Sequence, residues 1–244
     1  MIEIQNLNFF YGKNHALSNI STIFYCGKIN CLIGPNGSGK STFFNCISDN
    51  LDFEKNCIFY DGLEFTKNID TIKRKMCFIP DLDKIELNLT GKEYLNFYLD
   101  LYEKPSNYPK ALFFADLYDL NLDKLASSYS HGMIKKLQLI SAFIIDTKYI
   151  ILDEPFNGLD PEYTVLTQQI LQKLAKKNKT IILSTHNLDI VQRIADNLVV
   201  LVNGKTIFDG TVSEYLKVHK SKDIFSSWSN IISPKIYENI ENYI

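Results

Sequence analysis

The stretch GPNGSGKST, residues 34–42, constrains this chain more than any other. It satisfies the spacing Gly-x4-Gly-Lys-Ser/Thr, with Gly34, Gly39, Lys40 and Ser41 at the fixed positions. Glycines at 34, 37 and 39 let backbone N–H groups turn inward on an anion, and Lys40 is long enough to reach the β- and γ-phosphates of a nucleotide. The Ser41 hydroxyl is placed to ligate Mg²⁺. The flanks agree with this reading. Residues 29–33 (INCLI) are an apolar run suited to a buried strand, and residues 41–47 (STFFNCI) suit a helix whose positive N-terminal end faces the phosphates.

Composition limits the alternatives. A chain of 244 residues with 45% hydrophobic and 22% charged residues has the make-up of a soluble globular protein with a sizeable core. The formal net charge of −2, with no long basic run, argues against a nucleic-acid partner. No apolar stretch approaches the roughly 18 residues that span a bilayer, so the chain is expected in the cytoplasm. The 5 cysteines are odd in number and form no Cys-x-x-Cys pair, which predicts buried, reduced thiols.

Read in order, residues 1–25 alternate around the turn Gly12-Lys13-Asn14 and predict a β-hairpin, with Tyr11 a candidate to stack on an adenine ring. Residues 57–61 (CIFYD) read as an edge strand; residues 75–79 (KMCFI) read as a buried strand broken at Pro80-Asp81. Between Thr90 and Lys148 the apolar period becomes helical. Thr90 and Glu93 have capping-box spacing, and the helix over 91–104 carries much aromatic surface, enough for part of it to dock a partner. Pro105 and Pro109 are expected to break that helix before another resumes over 111–120. Ser130 stands as the N-cap of a further helix reaching Ile145, and Lys135 and Lys136 in its first turns would favour a phosphate.

The strand over 149–152 (YIIL) delivers Asp153 and Glu154 at its C-terminal end, the edge at which open α/β sheets bind ligands. Asp153 is the expected Mg²⁺ partner through water, and Glu154 is positioned to orient or deprotonate an attacking water. Asp160 precedes Pro161 as the N-cap of a helix to about Lys177. After the strand over 180–184, His186 emerges at the same sheet edge, where a γ-phosphate contact is expected. Asn203-Gly204 joins two more strands in a hairpin, and residues 212–244 read as short helices, the last starting at Ser233-Pro234.

In this order the elements resemble the ATP-binding cassette (ABC) ATPases, the nucleotide-binding subunits of ABC transporters, over roughly residues 1–215. GPNGSGKST looks like a full Walker A, residues 149–154 like Walker B with its glutamate, residues 157–160 (NGLD) like the D-loop, and STH ending at His186 like the switch histidine. Tyr11 matches the adenine-stacking aromatic. Where the family prefers LSGGQ, residues 129–133 are YSHGM, so Ser130 and Gly132 are kept and His131 replaces a glycine. At the Q-loop, Asp81 stands for the usual Gln and is expected to reach Mg²⁺ through water. These departures look like those of small bacterial exporter ATPases encoded apart from their membrane subunits.

The resemblance implies an α/β fold: a P-loop core of mixed, mainly parallel sheet, an N-terminal antiparallel β-subdomain and an inserted helical subdomain at about 88–147. Residues 216–244 would form a short helical extension. It also implies ATP and Mg²⁺ as cofactors. The nucleotide would contact Tyr11, Gly34, Pro35, Asn36, Gly37, Ser38, Gly39, Lys40, Ser41, Thr42 and Asp160, with Ser130 and Gly132 supplied by a second ATPase subunit in a head-to-tail dimer. Lys40, Glu154 and His186 would be catalytic, and Ser41, Asp81 and Asp153 would serve the metal. Integral-membrane permease subunits are the implied partners, placing the chain on the inner face of the cell membrane. Two rival readings are a soluble ABC ATPase without a permease and a regulatory module that hydrolyses ATP weakly. The interval from Lys40 to Ser130 leaves no room for a long coiled coil, which disfavours the first; retention of Glu154 and His186 disfavours the second. A P-loop kinase or GTPase would not account for the SHGM, NGLD and histidine set together.

Overall fold

The computed structural model describes residues 1–81 and 88–232. Among these, a six-stranded sheet holds, from edge to edge, β10 (Lys205–Thr211), β9 (Asn197–Val202), β3 (Ile29–Ile33), β8 (Thr180–Ser184), β7 (Tyr149–Leu152) and β6 (Met76–Ile79). Every neighbouring pair is parallel except β9 with β10, the hairpin turned by Asn203-Gly204. A second, antiparallel sheet holds β2 (Asn14–Phe24), β1 (Ile2–Tyr11), β4 (Ile58–Tyr60) and β5 (Leu63–Glu64) in that order. The fold class is the one implied by the sequence.

The central strands are apolar on both faces because both faces are covered. Cys31, Ile33, Ile150, Leu152, Ile181, Leu183, Leu198 and Val200 enter one core. Their alternates Leu32, Ile151, Ile182, Val199 and Leu201 enter another, shared with the antiparallel sheet and with Phe43 and Phe44 of helix α1 (Lys40–Ile47). The first core is closed by α5 (His131–Ile144), α6 (Pro161–Lys176) and α7 (Leu188–Ile194). Two-sided burial fixes the strands, and with them the points from which Gly34, Asp153 and Thr185 leave the sheet.

Thr90 caps α3 (Gly91–Leu101), with the capping box to Glu93 formed as expected. Its buried face, Tyr94, Leu95 and Leu99, packs into the core, whereas Phe97 and Leu101 are exposed. The next helix, α4 (Tyr108–Leu117), begins earlier than expected: Pro109 lies in its first turn, where a missing N–H costs nothing, and so helps start the helix. The short helices α2 (Ile69–Lys73), α8 (Val212–Val218) and α9 (Ile224–Ile232) complete the described elements. The helix expected from Ser233-Pro234 lies outside the described residues.

Three further expectations need correction. β4 is an inner strand, because the two-residue β5 covers the edge it was expected to leave open. Cys26 is exposed, its thiol donating to the Asn178 carbonyl at 3.0 Å, while the other four cysteines are buried. Lys135 and Lys136 do not face an anion site. Lys135 is fully buried, and the Lys136 ammonium donates to the Tyr118 carbonyl at 2.9 Å and lies 3.3 Å from the centre of the Tyr163 ring. Their helix sits in the core, so these side chains serve packing. No helix among the described residues is long and apolar enough to cross a membrane.

Candidate active site

The loops after β3, β6, β7 and β8 gather at one edge of the central sheet. Between them lies a cleft of about 630 Å³ whose lining includes Asn36, Gly37, Gly39, Lys40, Ser41, Thr42, Asp81, Asp153 and Glu154. A volume of this size suits a nucleotide-sized ligand. The antiparallel sheet supplies Tyr11, half-exposed and packed edge-to-face on Phe9 at 4.9 Å. Gly34, Pro35 and Ser38 lie behind the cleft, outside its lining, with Ser38 buried. His15 and the Asn203-Gly204 turn also line it. The sequence marked the latter as a turn only; its proximity to the phosphate loop arises because β9 pairs directly with β3.

Gly39 turns the loop into α1. Its φ of 104° is a left-handed value, and a Cβ there would stand 2.9 Å from the Ala16 carbonyl oxygen. This conformation aims the first N–H groups of α1 at the cleft. Lys40 follows at once, its ammonium donating to the Gly34 and Pro35 carbonyls at 2.8 and 3.2 Å. Burial pulls its pKa below the ordinary lysine value, while Glu154 and Asp153 pull it back up.

Asp153 and Glu154 extend from β7 into an interlocked set. The Ser184 hydroxyl donates to Asp153 Oδ1 at 2.5 Å and accepts the Glu154 N–H at 2.9 Å. Glu154 has φ 47°, an uncommon value for a non-glycine residue that its neighbours must hold in place. Its Oε2 accepts from the His186 backbone N–H at 3.3 Å and lies 3.0 Å from His186 Nδ1. An ionised carboxylate only accepts, which puts the ring proton on Nδ1. Burial raises the pKa of Glu154 above the ordinary carboxylate value, against the opposing pull of His186 and Lys40. Ser184 carried no sequence signal beyond its place before Thr185-His186.

The structure thus brings together Tyr11, Lys40, Ser41, Asp81, Asp153 and Glu154, with His186 bonded to the last. Ser130, Gly132 and Asp160 are absent from the lining of the cleft. Ser130 caps α5, accepting the Met133 N–H at 3.3 Å, while Asp160 stands at the N-cap of α6 without a side-chain capping bond. The donor set suits Mg²⁺: the Ser41 hydroxyl and the buried Asp153 carboxylate are hard oxygen ligands, and this ion keeps one or two protein ligands beside phosphates and water. Among the described residues no group of three or more His, Cys, Asp or Glu is arranged to hold a metal by itself.

Residues 17–157 match the ABC transporter family. The petrobactin import ATP-binding protein YclP of Bacillus subtilis (strain 168) is 28% identical over 92% of this chain and 92% of its own. The bacitracin transport ATP-binding protein BcrA of Enterococcus faecalis is 31% identical over 98% of this chain and 78% of its own. A solved ATP-binding subunit of an ABC transporter superposes with a TM-score of 0.88 at 25% identity, covering 94% of this chain and 98% of that one. With the phosphate loop and the carboxylate pair lining one cleft and the histidine bonded to Glu154, the chain belongs to the ABC transporter family, as one of its ATPase cassettes.

Proposed function

We propose that this chain is the ATP-hydrolysing subunit of a transporter, working as a head-to-tail dimer beneath separate membrane permease subunits. The observation that carries the reading is the separation of two anion-binding features. The phosphate loop lines a cleft that Ser130 and Gly132 do not enter, so the start of α5 is available to complete the site of a second cassette. In this reading residues 1–215 are the ATPase unit, with a helical part at about 88–147, and residues 216–244 are an extension.

In the proposed site Tyr11 stacks on the adenine, and the 34–42 loop surrounds the phosphates. Lys40 exchanges its two carbonyl partners for phosphate oxygens. Ser41 and Asp153 would hold Mg²⁺, with Asp81 near it through water, and the ion would supply positive charge against that of the phosphates. Glu154 takes a proton from the attacking water, its raised pKa suiting it to that role. His186 holds the Glu154 carboxylate and faces the γ-phosphate. From the second subunit Ser130 and Gly132 approach the same phosphate, with Asp160 beside them. Catalysis is then positioning and charge neutralisation in a closed site. The permeases would meet the cassette near Asp81 and the exposed aromatic face of α3, at the inner surface of the membrane.

ATP turnover measured against protein concentration tests this. Cooperative, Mg²⁺-dependent turnover is expected, with Glu154→Gln lowering it about 10²–10⁴-fold, the usual scale for a lost general base, and trapping an ATP-bound dimer on a sizing column. Turnover unchanged in Glu154→Gln would remove Glu154 from the mechanism.

A further inference from the structure

Two of the positions at which this chain departs from the family pattern, Asp81 and His131, touch adjacent residues of one turn. Asp81 Oδ1 accepts from Asn157 Nδ2 at 3.1 Å. His131 packs on the next residue, Gly158, where a Cβ would stand 2.2 Å from His131 Cδ2. Gly132 makes a second close approach to the same residue: a Cβ there would stand 2.4 Å from the Gly158 carbonyl oxygen. Residues 81, 131 and 157 are far apart in the chain and come from three separate connections, so this convergence is a product of the fold.

The turn itself follows Glu154 directly. Its backbone is drawn back by the Asn157 N–H, which donates to the Glu154 carbonyl at 3.2 Å, and it is anchored inward by buried Phe156. The outward side is held by Asp81 and His131. Glu154 has a left-handed φ, a conformation that persists only where the surroundings enforce it. A change in the turn is therefore transmitted to the residue that begins it.

We infer that Asp81 and His131 are positioning residues that clamp the Asn157-Gly158 turn between them, tying the loop after β6 and the start of α5 to the setting of Glu154. The inference rests on the proposed reading of Glu154 as base. In this arrangement His131 substitutes a side-chain contact within the subunit for the backbone freedom of the glycine usual at its position. Asp81 supplies an acceptor that Asn157 satisfies, so the two departures act on one element.

The test is a reciprocal exchange in the full chain. Asn157→Asp sets two carboxylates against each other, whereas Asp81→Asn combined with Asn157→Asp restores a donor opposite an acceptor with the roles reversed. Asn157→Asp is expected to lower the melting temperature by about 2–4 °C, the scale of a modest lost interaction in a chain of this size. It is also expected to lower kcat about tenfold while moving the KM for ATP less than about threefold, the pattern of lost transition-state positioning. The exchanged pair should recover most of the loss in melting temperature, and most of the loss in kcat at saturating Mg²⁺, where the share of the Asp81 carboxylate in holding the ion no longer limits turnover. His131→Gly should lower kcat in the same direction, and its effect should combine with that of Asn157→Asp less than multiplicatively, because both act on one turn. An exchanged pair that recovers neither loss, or recovers the melting temperature without kcat at saturating Mg²⁺, overturns the inference. Wild-type turnover insensitive to Glu154→Gln overturns the reading of Glu154 as base instead, and the positioning role with it.

Discussion

The Ser184 hydroxyl donates to Asp153 Oδ1 at 2.5 Å while accepting the N–H of Glu154 at 2.9 Å, so one buried side chain from β8 sets both carboxylate residues at the end of β7. Parallel pairing of β7 with β8 places the hydroxyl there. A carboxylate as buried as that of Asp153 needs such a donor, because a buried polar group without partners is costly. The bond orients the carboxylate toward the cleft, as outer partners of metal-binding groups do.

Ser184→Ala should therefore cost more than a surface substitution. It leaves the Glu154 N–H and one Asp153 oxygen unsatisfied, a loss of about 1–3 kcal/mol. Urea unfolding should show that loss, and ATP turnover should fall about tenfold or more, most strongly at limiting Mg²⁺ under the proposed reading of Asp153 as a metal partner. Wild-type turnover in Ser184→Ala would show that Asp153 is oriented without it.

The pH dependence follows from two shifted groups. In the proposed mechanism Glu154 must be ionised to accept a proton, and burial raises its pKa, so the acid limb of kcat/KM should lie above the ordinary carboxylate range, with activity lost as pH falls through it. Lys40 must be charged to meet phosphate, and burial lowers its pKa, so ATP affinity should decline on the alkaline side before an ordinary lysine would titrate. The stability contribution of Glu154 has the opposite sense. A raised carboxylate pKa means the fold favours the protonated form, so this contribution is full below the unfolded-state pKa and is lost as pH rises through the folded-state value. An acid limb at the ordinary glutamate position, measured in steady-state assays, would contradict the assignment.

Lys136 supplies a test of packing against phosphate binding. Lys136→Met keeps the volume but removes the bond to the Tyr118 carbonyl and the cation over the Tyr163 ring. Stability should drop by about 1–3 kcal/mol, the combined scale of those contacts, with ATP affinity unchanged. Loss of ATP affinity without loss of stability would restore the anion-binding role suggested by position in the helix.

The sequence by itself determined what depends on neighbours along the chain. The 34–42 loop is legible because its glycine spacing, lysine and hydroxyl are consecutive, and the capping box at Thr90 and Glu93 because both partners lie within one turn. The apolar strands at 29–33, 149–152 and 180–184 were legible because two-sided burial leaves no polar alternation, and they in turn placed Asp153, Glu154 and His186 at one edge. Tertiary structure alone decided the relationships between distant segments. Whether Lys136 met phosphate or a tyrosine ring depended on which face of α5 entered the core. Ser184 became the clamp on Asp153 through strand pairing, and β5 covered the edge of β4. The meeting of Asp81 with Asn157 and of His131 with Gly158 likewise required three connections to converge. Local spacing encodes the chemistry that one loop can perform, whereas long-range packing selects the side chains that hold that chemistry in register.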